Sequence, residues 1–110
     1  MVQQKMSTRS HLDLKAWLLE NNAQTLGEIP SSLAVELISS DTRSLSAGAV
    51  YLPLKGERFD GHHFIAQAFS TGIAFAFCES AYYQEHQQEL KGYALILVHD
   101  TLKALQSLAR

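Results

Sequence analysis

One hundred and ten residues with an apolar fraction of 46% suit a single globular domain with a modest core. A net charge of −2 with both signs mixed gives no electrostatic footprint for nucleic acid or an anionic membrane surface, and no apolar run approaches the roughly 20 residues that span a bilayer. The single cysteine, Cys78, excludes an intrachain disulfide and fits a reducing compartment, so a cytoplasmic location is expected.

Residues 1–9 are polar and lack a signal peptide's apolar segment; they are expected to be a disordered or extraneous tail. Residues 10–110 are expected to form one domain. Ser10 with Asp13 three residues on reads as a capping-box variant that opens a helix carrying Leu12, Leu14, Ala16, Trp17, Leu18 and Leu19, with Asn21-Asn22 as its stop. Alternation of Leu33, Val35 and Leu37 with Ala34 and Glu36 predicts a strand over 33–39. Ser39 to Arg43 form a turn rich in side-chain acceptors, and Ser46-Ala47-Gly48 form a second. Ala49 to Leu54 read as a short apolar strand, placed at a sheet edge or paired on one side because Pro53 cannot donate to a ladder.

Lys55 to Gly61 then form a loop, with Asp60 positioned to cap a helix that carries Phe64, Ile65, Ala68 and Phe69 on one face and ends at Gly72. Ile73 to Phe77 predict a buried strand, Ser80 to Leu90 a polar helix closed by Gly92, and Ala94 to Val98 another buried strand. Asp100 or Thr101 caps a last helix with Leu102, Leu105, Leu108 and Ala109 on its apolar side. Continuous apolar strands alternating with helices imply an α/β fold: a small mixed β-sheet flanked by helices.

The chemistry-bearing residues are few. Lys55-Gly56-Glu57-Arg58 places two cations around a glycine ahead of a helix start, an arrangement that suits an anion but by pattern alone is more often merely a solvated turn. Adjacent His62 and His63 would point about 100° apart on a helix and make a poor chelate, so one packed and one exposed histidine is the expectation, with no metal site. Cys78 follows a buried strand and reads as an inert thiol; Trp17 reads as a core anchor, and Tyr82-Tyr83 as at most an interface mark. There is no GxxxxGK[ST] loop, no GxGxxG after a strand and no GxSxG, so no catalytic residue is assigned.

Taken together, Asp41-Thr42-Arg43, Gly48, Tyr51-Leu52-Pro53-Leu54, the run Gly56-Glu57-Arg58-Phe59-Asp60-Gly61-His62, Gly72, and Val98-His99-Asp100-Thr101-Leu102 with Ala104-Leu105 and Leu108-Ala109 resemble the N-terminal domain of the Mur ligases of peptidoglycan precursor synthesis. The resemblance covers roughly residues 26–110. Of the two members sharing this domain type, the Pro53-to-His62 run and Asp100-Thr101-Leu102 look closer to the ligase adding D-alanyl-D-alanine (the MurF type) than to the MurE type, which adds the third amino acid. Thr42 stands where serine is commoner, and Pro53 where many relatives have alanine.

The resemblance implies a domain that holds the UDP end of UDP-MurNAc-peptide, with Ser40, Thr42, Glu57, Arg58 and Phe59 at the nucleotide-contacting positions and with Arg43 and the Gly56 backbone added on physical grounds. It implies no cofactor in this chain, ATP and Mg²⁺ in a full-length ATP-dependent amide-forming parent, and central and C-terminal domains as missing partners; nucleic acid is not expected. A free-standing protein-interaction domain of the same fold is the rival expectation.

Overall fold

The computed structural model describes residues 11–109. The expected tail over 1–9 and the Ser10 cap lie outside the described residues. The first helix, α1 (Leu14–Glu20), starts later than the sequence suggested: Asp13 caps it by accepting from the Ala16 N–H at 3.2 Å. Leu12 belongs instead to a short strand, β1 (His11–Asp13), paired antiparallel with β3 (Ser32–Ala34). Asn21 does end α1, and Asn22 adopts a left-handed backbone at φ 55°.

The main sheet has five strands in the order β2-β7-β6-β5-β4. These are β2 (Gln24–Leu26), β4 (Ile38–Ser39), β5 (Val50–Tyr51), β6 (Phe75–Glu79) and β7 (Leu95–Val98). The four from β4 to β7 run parallel, and β2 adds an antiparallel edge that the sequence pattern did not disclose. The sheet is therefore mixed, as expected.

Three boundaries are corrected. The strand expected over 33–39 is broken by a 3₁₀ turn over Val35–Leu37, so that Leu33 joins the small sheet while Ile38 and Ser39 join the large one. The strand expected over 49–54 shortens to Val50–Tyr51 and lies inside the sheet between β4 and β6, not at an edge. Pro53 escapes the ladder because it falls beyond the last bond, from the Leu52 N–H to the Ser39 carbonyl at 2.9 Å. The strand expected over 73–77 starts and ends two residues later, at Phe75 and Glu79.

Period-two alternation sends the buried strand residues to opposite faces. Val50, Phe75, Phe77, Ile96 and Val98 meet Leu14 and Trp17 of α1 and Ala104 and Leu108 of the last helix, α5 (Thr101–Leu108). Tyr51, Ala76, Cys78, Leu95 and Leu97 meet Ile65 and Ala68 of α2 (Ile65–Phe69) and Leu90 of α4 (Gln87–Leu90). Helices thus cover both faces, which is why the central strands are apolar on both sides. Trp17 is the expected core anchor; it meets Phe77 edge-on at 5.9 Å and donates its indole N–H to Ser107 Oγ at 3.0 Å.

The polar helix expected over 80–90 divides at His86 into α3 (Ser80–Glu85) and α4. In α5 the buried positions are Thr101, Ala104 and Leu108, and Leu105 packs against the same core; Leu105 and Leu108 thus lie on the apolar side as expected, while Leu102 is 52% exposed and Ala109 is also exposed. Among the described residues no helix is long and apolar enough to cross a membrane.

Candidate functional site

In an open parallel sheet the loops that leave the carboxyl ends of the strands share one rim, which is where ligands bind. Here the segments after β4, β5, β6 and β7 meet along that rim. The turn after β4 is built from its own side chains. Ser39 Oγ accepts from the Asp41 N–H at 3.1 Å and lies 2.8 Å from Ser44 Oγ, while Asp41 caps a 3₁₀ turn over Thr42–Ser44. Asp41 also grips the Arg43 guanidinium with both oxygens, at 3.1 and 3.0 Å. Arg43 remains 88% exposed, and its hydrogen bond holds the Asp41 carboxyl below the usual range. Ser40 precedes this turn and Thr42 begins it.

The segment after β5 is a small hairpin. Lys55 and Asp60 form an antiparallel bridge, the Gly56 N–H donates to the Phe59 carbonyl at 2.7 Å, and the Gly61 N–H donates to the Leu54 carbonyl at 2.8 Å. Glu57 and Arg58 occupy its exposed tip. The Gly56 N–H, expected to face a ligand, is used within the hairpin. Beyond it, Asp60 caps a 3₁₀ turn over Gly61–Phe64 that leads into α2. A Cβ at 61 would crowd its neighbours, standing 3.0 Å from the Tyr51 hydroxyl and 3.1 Å from the Leu54 backbone N and O, so glycine suits this close approach. That hydroxyl donates to the Gly61 carbonyl at 2.8 Å, and burial pushes its pKa up to about 12.

These two segments lie side by side. Ser40, Thr42, Arg43 and Phe59 line one cleft of about 310 Å³ together with Asp41, Tyr51 and Phe64. Gly56, Glu57, Arg58 and Phe59 line a second of about 390 Å³ with Lys55, Asp60 and His63. Phe59 belongs to both. Its ring is 54% exposed and stacks on that of Phe64 with centroids 5.8 Å apart and planes within 23°. Sequence reasoning placed Phe64 on the buried face of a helix; at 36% exposure it is a second aromatic wall of the cleft. The available signal was a pair of phenylalanines flanking the capping Asp60-Gly61, Phe59 immediately before it and Phe64 three residues after.

Beneath the hairpin sits a buried polar network. Lys55, expected as a free cation of the loop, pairs with Glu79 at 2.7 Å. Glu79 is 7% exposed and also accepts from the Thr101 N–H at 3.0 Å. Its backbone N–H donates to His62 Nε2 at 3.0 Å, so the ring proton sits on Nδ1 and points at Asp60 Oδ1, 2.7 Å away. His62 is therefore the packed histidine and His63 the exposed one, as expected. Cys78 is buried and its thiol is pushed up to about 12 by burial, which fits the inert reading. No group of three or more His, Cys, Asp or Glu residues among those described is arranged to hold a metal.

Burial pushes the Glu79 and Asp60 carboxyls up, but hydrogen bonds from Lys55 and Thr101 in one case and His62 in the other outweigh it, so both sit below their ordinary values. A carboxyl depressed in the folded state stabilises above its unfolded pKa, and that contribution is lost as pH falls through the folded value. The melting temperature should therefore hold from neutral pH to about 5 and fall below about 4.5. Glu79→Gln should flatten that acid limb; an unchanged limb would mean that Glu79 carries none of it.

The profile described as "Mur ligase family, catalytic domain" matches residues 34–110. The UDP-N-acetylmuramoyl-tripeptide--D-alanyl-D-alanine ligase of Bacillus subtilis (strain 168) is 44% identical over 73 residues, 66% of this chain and 15% of that protein. The UDP-N-acetylmuramoyl-L-alanyl-D-glutamate--2,6-diaminopimelate ligase of Chlorobium phaeobacteroides is 39% identical over 56 residues, 51% of this chain and 11% of that protein. A crystal structure of MurF from Acinetobacter baumannii aligns with a TM-score of 0.67 at 27% identity, over 89% of this chain and 20% of its own. The chain thus spans at most 20% of the length of any of the three. With the profile covering most of its length and the fold shared, the chain belongs to the Mur ligase family, and its likeness there is to the MurF type.

Proposed function

We propose that residues 10–110 are the substrate-holding N-terminal domain of a cytoplasmic MurF-type ligase, and that the paired clefts take the uridine diphosphate end of UDP-MurNAc-peptide. The observation that carries this reading is the exposed Phe59–Phe64 stack, set between the Ser40-to-Arg43 turn and the hairpin tip on the carboxyl rim of the sheet. A flat aromatic wall suits uracil or ribose. The Ser40 and Thr42 hydroxyls suit the polar edges of a nucleoside, and Glu57 can accept from a ribose hydroxyl. The Arg58 guanidinium at the tip suits a phosphate oxygen, and Arg43, already held by Asp41, adds positive charge nearby.

ATP and Mg²⁺ would supply carboxylate activation in the parent enzyme. This chain has neither a phosphate loop nor a described metal-ligand cluster, so its residues do not fit them and no such step is assigned to it. In that parent, ligation to D-Ala-D-Ala would belong to the central and C-terminal domains, and this domain would bind and orient.

An NMR titration of the chain with UDP tests the proposal. Amide shifts should concentrate at 39–43 and 55–64, with an affinity on the order of 1 mM, because a few hydrogen bonds must offset the loss of translational freedom. Thr42→Ala and Arg58→Ala should each weaken binding several-fold. Shifts confined to other segments, or none at ligand well above that concentration, would favour the interaction-domain reading.

A further inference from the structure

The hairpin that bears Arg58 and Phe59 has one hydrogen bond of its own across the tip, from Gly56 to Phe59. Its position on the sheet is set from below. Lys55 and Asp60, the bridge pair at its base, both lead to one residue. Lys55 reaches the Glu79 carboxylate directly at 2.7 Å. Asp60 reaches Glu79 through His62, whose ring spans the 2.7 Å contact to Asp60 and the 3.0 Å bond from the Glu79 N–H. The second carboxylate oxygen of Glu79 accepts from the N–H and hydroxyl of Thr101, the first residue of α5. Glu79 thus joins both arms of the hairpin, the end of β6 and the start of α5.

From this we infer that Glu79 is a positioning residue for nucleotide binding: its carboxylate, holding Lys55 beside the arm that its backbone N–H anchors through His62, fixes where the hairpin presents Arg58 and Phe59 to the diphosphate and the base. The inference rests on the uridine diphosphate reading above. Glu79 touches no ligand; it acts by keeping the tip in one place before the ligand arrives, which spares the ordering cost at binding.

The test compares UDP affinity by NMR titration for the 110-residue chain and four variants, at a temperature where urea melts show each of them folded. Glu79→Gln and Lys55→Met should each weaken UDP binding about fivefold, the equivalent of one modest hydrogen bond. The double variant should lose no more than either single one, because both break the same link. Lys55→Arg, which keeps the charge, should bind close to the parent chain. A merely structural contribution would lower stability in the urea melts while leaving the UDP affinity of the folded variants unchanged. Hydrogen exchange supplies the local readout: in Glu79→Gln the Gly56 and Gly61 amides should exchange faster while Ile96 and Leu97 in β7 do not. If the parent chain and both single variants bind UDP equally, the inference falls and the uridine reading stands. If no protein binds UDP, the parent chain included, the uridine reading falls and takes the inference with it.

Discussion

Replacing Phe77 by alanine is expected to cost about 3–5 kcal/mol of folding stability, the range for emptying a buried aromatic site. Phe77 is fully buried at the middle of β6, the strand flanked by β5 and β7. Its ring meets Trp17 edge-on and Phe75 at 5.9 Å, so it joins the sheet to α1. The surrounding groups are a strand on each side and a tryptophan whose indole is held by Ser107, which leaves little freedom to collapse into the void. For a domain of this size, whose total stability is on the order of 5–15 kcal/mol, such a loss leaves a large unfolded fraction. Urea denaturation should show a lowered midpoint with an unchanged slope. A loss below about 1 kcal/mol would mean that the site refills and that the packing between α1 and β6 is looser than described.

The adjacent histidines should separate sharply. His62→Ala is expected to cost about 2–4 kcal/mol, because it strips the buried Glu79 N–H of its acceptor, frees Asp60 from its ring partner and leaves a void. His63→Ala, at an exposed position, should stay within about 0.5 kcal/mol. His62→Gln offers a partial control, since its carbonyl oxygen can accept from the Glu79 N–H while nothing replaces the ring against Tyr82, 4.9 Å away. Equal effects at 62 and 63 would contradict the buried network and with it the account of how the hairpin is held. The uridine contacts themselves are probed directly at Thr42 and Arg58.

Several elements could be read from the chain because their cause is local. Asp60 and Asp100 cap helices wherever a helix follows, since a short carboxylate satisfies free N–H groups of the next turn. Gly72, at φ 89°, ends the segment after α2 because a residue with a Cβ would be strained in that backbone conformation. The continuous apolar runs at 75–78 and 95–98 announce strands covered on both faces, and the structure places helices on each. The candidate site segments were legible for the same reason: a capped acidic turn and a charged loop ahead of a helix are short-range patterns, and the resemblance rested on them.

What lay outside the sequence was decided by partners distant along the chain. The alternation over 33–39 is equally compatible with one strand or two, and only pairing chose: Leu33 bonds beside Leu12 in one sheet, Ile38 beside Val50 in the other, and a 3₁₀ turn resolves the conflict. β2 carries too few apolar residues to announce itself and exists because β7 offers an open edge. Lys55 looked like a free cation until the fold brought Glu79, from another strand, to within 2.7 Å of it. Phe64 is helical in sequence but faces the cleft because Phe59 arrives from the hairpin to meet it. Local sequence therefore determined the caps, turns and buried strands, whose energies are paid within a few residues. The tertiary structure alone decided strand pairing, charge partners and which aromatics remain exposed, because each depends on groups tens of residues away.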